Sequence, residues 1–142
     1  MENKIFIFDR AGVFFKHTDF NGFLHPYNYF EWTSYARESY FQETVPNFED
    51  VLNRPIKMMT TKIELSLFVN ATFGDVFDAR LTVSKIKKVS FDMIVRFYNR
   101  RKELVSAETR HSIVFIDTER STFAPIPEEM LRVITNYQEG GS

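Results

Sequence analysis

Residues 17–43, HTDFNGFLHPYNYFEWTSYARESYFQE, gather the side chains best able to do chemistry in this 142-residue chain. His17 and His25 flank a polar turn that also holds Asp19 and Gly22. An unperturbed histidine titrates near pH 6.5, so either one can serve as a base. Asp19 can orient a base or a water, and as a plain turn former bonding its own backbone it would look the same in sequence. Pro26 suits the first turn of a helix, where its missing N–H costs little. The amides of that helix start would be unpaired within the helix and partly positive, able to polarise a carbonyl or hold an anion. Arg37 follows about three helical turns later. On a solvated face it does nothing, whereas in a cleft it is a permanent clamp for an oxygen that gains negative charge.

What is missing excludes other chemistries. There is no cysteine, which removes disulfides, thiolate metal sites and cysteine nucleophiles and fits a cytosolic setting. GxSxG, P-loop, GxGxxG, HExxH and CxxC patterns are all absent, so serine-hydrolase, nucleotide and zinc readings lack support. Three histidines, at 17, 25 and 111, are too few and too spread for a metal site, and His111 reads as a satisfied residue within a strand. Lys plus Arg total 18 against 19 Asp plus Glu, and the net charge of −1 gives no reason to expect nucleic acid or an anionic membrane as partner. No segment approaches the roughly 18 apolar residues of a membrane span, and the N-terminus lacks the pattern of a secretory leader. The 16 phenylalanines exceed what a small core needs, which points to a subunit interface or an apolar ligand tunnel.

The elements that must hold the turn can be read from periodicity. Residues 4–15, KIFIFDRAGVFF, suit a strand bent near Ala11-Gly12. From Pro26 to about Glu43 the spacing predicts a helix with Tyr29, Phe30, Ala36, Tyr40 and Phe41 on one apolar stripe and Trp32 at its edge. Asn47 can cap a short helix through Phe48, Val51 and Leu52. Period-two alternation then marks four strands, the first with Ile63, Leu65, Leu67 and Val69 on its buried face. A short helix within PEEMLRVITNY closes the chain, and residues 138–142 should fray. The order β, α, four β, α predicts one domain over 1–142, α+β in class, with antiparallel hairpins wrapped round one long helix.

With these elements in place, HTDFNGFLHPYNYFEW…ARE resembles the DxDxxGHVxNxxYxxxxExARE-like signature of the 4-hydroxybenzoyl-CoA thioesterase group of the hotdog-fold superfamily. Asp19, Gly22, Asn28, Tyr29, Arg37 and Glu38 occupy matching positions. DTERSTFAPIPEEML is similar to the closing segment of many members, so the resemblance covers nearly the whole chain. The first acid of DxD, the usual nucleophile or base, is here His17. In that departure the chain is closer to the thioesterases of enediyne polyketide pathways, which share NYxxW, the RE pair and a Thr-x-Lys-x-Glu strand start. Here these are residues 28–32, Arg37-Glu38 and residues 60–64, although the second DxD position is Asp19 rather than the Asn of that subset.

The resemblance implies a long central helix wrapped by an antiparallel sheet, a short C-terminal helix, and pairing into a homodimer or homotetramer with active sites at the shared interface. It implies hydrolysis of an acyl thioester, carried on coenzyme A or on acyl carrier protein, in polyketide or fatty acid metabolism, with no cofactor and no metal. Water would attack, positioned or deprotonated by Asp19 or His17. Backbone N–H groups of Leu24 and His25 would hold the carbonyl, and Arg37, with Tyr29 and Thr60, would stabilise the oxyanion or a β-keto oxygen. Asn28, Thr60, Phe68 and Phe73 would contact substrate. Met58, Met59 and Phe91 are further candidates for pocket walls, though each reads as well as plain core. Two rivals stand beside this reading: a non-catalytic hotdog domain that binds acyl chains or a carrier protein, and a dehydratase on the same fold.

Overall fold

The computed structural model describes residues 4–140. Nine regular elements follow one another: β1 (Phe6–Gly12), α1 (Asn28–Thr44), α2 (Phe48–Leu52), β2 (Ile56–Leu67), β3 (Val76–Ser84), β4 (Ser90–Asn99), β5 (Leu104–Asp117), β6 (Thr122–Phe123) and α3 (Glu128–Asn136). A 3-10 turn at Phe15–His17 leads from β1 into the polar turn. The strands form one antiparallel sheet in the order β1-β3-β4-β5-β2, with β6 paired to β5. The α+β hotdog arrangement expected from the resemblance is present: α1 lies in the concavity of the curled sheet. The bend expected near Ala11-Gly12 is a register shift between Phe8 and Ala11.

Alternation along β3, β4 and β5 turns Phe77, Ala79, Leu81, Val83, Phe91, Met93, Val95, Phe97, Ala107, Ile113 and Phe115 inward. α1 lays Tyr29, Trp32, Ala36, Tyr40 and Phe41 on that face, all nearly or fully buried. The rings of Tyr29, Trp32, Phe77 and Phe97 meet at centroid distances between 4.9 and 6.3 Å, in tilted and edge-on arrangements that suit aromatic quadrupoles. Trp32 is thus central to the stripe, and Phe30, expected on it, faces outward.

Three further expectations change. α1 begins at Asn28 rather than Pro26, because Pro26 and Tyr27 form a separate turn whose carbonyls accept the N–H groups of Tyr29 and Phe30, each at 3.1 Å. The apolar face of β2 is only partly covered: Leu65 packs against the core, whereas Ile63, Leu67 and, beyond the strand, Val69 are exposed, since β2 is the open edge of the sheet. The C-terminal segment does not fray where it is described. Gln138 bridges to Val83, and Glu139 binds Thr82 Oγ1 at 2.7 Å and pairs with Arg96. Residues 141 and 142 lie outside the described residues.

Candidate active site

The polar turn is held by its own side chains. Asp19 Oδ1 accepts the N–H groups of Asn21 at 2.8 Å and Phe23 at 3.2 Å, and the Asp19 carbonyl accepts the N–H of Gly22 at 3.0 Å. Gly22 sits at φ +83°, a left-handed conformation that side-chain-bearing residues rarely adopt. Asp19 therefore forms the turn, and its second oxygen, Oδ2, takes no protein hydrogen bond among the described residues. Asn28, expected to contact substrate, is buried beneath the turn. Its Nδ2 donates to the carbonyls of His17 and His25, both at 2.9 Å, which locks the turn to the start of α1.

His17 Nδ1 accepts the N–H of Phe14 at 2.9 Å, so the neutral ring carries its proton on Nε2. Burial first, and the Lys16 charge second, lower the His17 pKa. The ring packs at 5.4 Å from that of Trp32. It lines a cleft of about 340 Å³ together with Arg10, Lys16, Tyr27, Glu31 and Tyr35.

The two oxyanion amides expected from the sequence are already in use. Leu24 N–H donates to the Ala71 carbonyl and His25 N–H to the His17 carbonyl, each at 2.8 Å. The amides of Asn28, Tyr29 and Phe30 are satisfied by the carbonyls of the preceding turn. A helix start closed in this way offers field but no free donor.

Arg37 is placed differently. It lies about two and a half turns into α1, part-buried, with Nη1 donating to Thr60 Oγ1 at 2.8 Å, and no carboxylate pairs with it among the described residues. Burial lowers its pKa, the neighbouring Glu38 opposing, but a guanidinium stays charged in any protein. A cavity of about 360 Å³ opens beside it, lined by Ser34, Glu38, Phe41, Phe48, Leu52 and Met58. Thr60 thus joins Arg37 as expected, and Met58 is a cavity wall.

Other candidates fall elsewhere. Tyr29 is core, and burial, with the Asp75 charge second, keeps its hydroxyl protonated well beyond neutral pH. Phe68 and Phe73 are exposed on the loop after β2, and Phe73 stacks on Phe15 at 4.0 Å. Met59 is exposed and Phe91 is core. His111 is not the satisfied residue expected: it is 4% exposed and neither ring nitrogen has a hydrogen-bond partner among the described residues. Its position in phase with Thr109, Ile113 and Phe115 was the available signal that it faces inward.

Among the described residues, no group of three or more His, Asp or Glu side chains is gathered to hold a metal ion, and no helix is long and apolar enough to cross a membrane.

No curated protein matches the sequence. Among solved structures, a hypothetical protein of Staphylococcus aureus in complex with CoA superposes with a TM-score of 0.85 at 15% identity, over 100% of this chain and 90% of that one. The dynemicin thioesterase, whose crystal structures reveal induced-fit effects of polyene binding, gives 0.85 at 14% identity over 96% and 99%. A 1,4-dihydroxy-2-naphthoyl-CoA thioesterase from Synechocystis gives 0.81 at 17% over 93% and 96%. Identities this low show the shared fold. The family itself is shown by the model of the thioesterase-like superfamily, which matches residues 13–134, and the chain belongs to that superfamily.

Proposed function

We propose that the protein hydrolyses an acyl thioester carried on coenzyme A, or on the same phosphopantetheine arm of an acyl carrier protein, in the cytosol. The observation that carries this reading is Arg37: a part-buried guanidinium facing a cavity, held by the Thr60 hydroxyl and paired with no carboxylate among the described residues, although Glu38 lines the same cavity. Neutral partners hold it in place while leaving its field free for an oxyanion. Water adds to the thioester carbonyl, the C–O bond forms as oxygen becomes negative against Arg37, and the intermediate collapses with loss of the C–S bond. The departing thiolate takes the proton, giving free acid and free thiol. Asp19 Oδ2 is the better base, because His17 already carries its proton on Nε2 and suits the role of a hydrogen-bond donor that positions the water.

Asp19 and Arg37 belong to opposite ends of the apparatus in one chain. Asn28, which anchors the turn, and Arg37 are separated by about 14 Å along α1 at the helical rise. A second copy resolves the separation. β2 has an open edge carrying exposed Met59, Ile63 and Leu67. Antiparallel pairing of β2 with its counterpart about the strand midpoint sets Leu67 of one copy against Ile56 of the other. The polar turn is fastened to the loop beyond Leu67, through Leu24 N–H to Ala71 and the Phe23–Thr72 bridge. That turn would then arrive beside Met58 and Arg37 of the other copy, and the protein would work as a homodimer, or as a homotetramer if a further surface pairs.

Free-thiol release from a panel of acyl-CoAs and acyl carrier proteins tests the activity, with free acid as the expected second product. Binding without thiol release would instead make the protein an acyl-binding domain. An unsaturated product with its thioester intact would make it a dehydratase.

A further inference from the structure

Asp75, in the loop between β2 and β3, is fully buried and lines neither the cleft beside His17 nor the cavity beside Arg37. Taking a carboxylate out of water is costly unless it is paired and hydrogen-bonded. Its Oδ2 accepts the Thr72 N–H and the Lys102 ammonium, both at 2.9 Å. Lys102 also donates to the Asn70 carbonyl at 2.8 Å, so one ion pair pins the loop to the turn between β4 and β5. A neutral asparagine could accept the Thr72 amide in the same space, and a loop turn alone does not call for a buried charge.

This loop fastens both chain segments that carry the polar turn. Val13, shortly before the 3-10 turn that presents His17, donates its N–H to the Asp75 carbonyl at 2.9 Å, and its own carbonyl accepts the Gly74 N–H at 3.0 Å. On the other side, Leu24 N–H donates to the Ala71 carbonyl, and Phe23 bridges to Thr72. Phe23 is bonded to Asp19 in both directions: its carbonyl accepts the Asp19 N–H at 2.8 Å, and its N–H donates to Asp19 Oδ1 at 3.2 Å. Hydrogen bonds and strand pairing therefore lead from Lys102 through Asp75, Thr72 and Phe23 to the carboxylate of Asp19.

We propose that Asp75 is a positioning residue for the hydrolysis: paired with Lys102 it holds the loop of residues 70–75, and through Thr72 and Phe23 it sets where Asp19 Oδ2 stands. The inference rests on the reading of Asp19 as the base that activates water. Asp75 itself touches no substrate. The loop it holds leaves directly from the end of β2, the edge across which Asp19 must meet Arg37 of a second copy. A shift of the loop is therefore a shift of the base relative to the oxyanion clamp, and a misplacement of about 1 Å can cost about 10²-fold in rate.

The test is a double-mutant cycle in the full-length protein, run with the acyl-CoA that gives the fastest free-thiol release. Asp75→Ala should lower kcat by about 10–100-fold with KM changed by less than about threefold. Lys102→Met, which leaves the Thr72 bond in place, should lower kcat in the same direction and by less. In an Asp19→Asn background each substitution should change kcat by less than about twofold, because the group it positions is gone. Equal losses in the two backgrounds, a loss confined to KM, or wild-type kcat in Asp75→Ala overturns the proposal. Amide hydrogen exchange in Lys102→Met gives a readout that needs no turnover and decides the matter where Asp75→Ala does not fold or the Asp19→Asn background is too slow to follow. The Asn21 and Phe23 N–H groups, which bond Asp19 Oδ1, should exchange at least about tenfold faster than in the wild type, with Val95 in mid-sheet unchanged. Unchanged exchange at Asn21 and Phe23, or a rise shared by Val95, overturns the proposal. If the wild type releases no thiol from any thioester, the thioesterase reading fails, and exchange alone shows whether Lys102 and Asp75 hold the turn.

Discussion

At the start of α1, polar groups are closed upon one another: Asp19 takes two amides, Asn28 donates to two carbonyls, and Leu24 and His25 have given their N–H groups to Ala71 and His17. About two and a half turns along the same helix the opposite holds. Arg37 keeps most of its N–H donors after its bond to Thr60, and His111 has both ring nitrogens open. Apart from Asp19 Oδ2 and the Nε2–H of His17, the first region spends its hydrogen bonds on its own shape, so changing the residues that clamp it should cost stability and geometry together. The second leaves Arg37 to be met by a ligand, so changing it should cost chemistry more than folding.

The contrast can be broken most directly at Arg37. Arg37→Ala should lower kcat/KM for thioester hydrolysis by about 10²–10³, the usual loss for one oxyanion donor, with a melting temperature close to wild type. A large loss of stability instead would place Arg37 with the structural residues. At the other region, Asn28→Ala removes two buried hydrogen bonds and should destabilise by roughly 2 kcal/mol, read as a shift in the urea midpoint. A variant of unchanged stability would show that the turn holds itself without this clamp.

The third prediction concerns pH. The His111 pKa lies near 4 in the folded protein against 6.5 for the free side chain, so between these values the unfolded chain binds more protons. Stability contributed by the neutral ring is therefore complete above about pH 6.5 and is lost as pH falls towards 4, by on the order of 2 kcal/mol after allowance for solvent screening. His17, also lowered, acts in the same direction. Urea midpoints at about pH 5 and pH 7 should differ less in His111→Phe than in wild type, and an equal difference would assign the effect elsewhere.

Much of the fold could be read from alternation in β3 to β5, the long apolar stripe of α1 and the bend before Gly12, because burial imposes a period on the residues that face it. The turn too was legible, since Asp19 and Gly22 are the residue types its backbone requires. What could not be read was the partner of each polar atom. The bond from Arg37 to Thr60 joins residues 23 apart in sequence, and it depends on how α1 lies across the sheet. The same crossing decides that Asn28 clamps a turn and that the amides of Leu24 and His25 are occupied, which spacing alone left open. For His111, alternation gave the direction it faces, while the lack of a partner depends on Met93, Ile63 and the helix above. The exposed apolar residues of β2 show a similar limit: period two signals a covered face without saying which chain covers it.

The open edge of β2 also bears on how activity is measured. If two chains must meet along that edge to bring one turn beside the other's arginine, the catalyst is a species governed by mass action, and its abundance varies with the square of the free-chain concentration when dissociated. Turnover per chain should then decline on dilution and recover on concentration, with thioester analogues that bridge the pair slowing the decline. Rates compared between preparations would need equal protein concentration before any difference could be ascribed to a substitution.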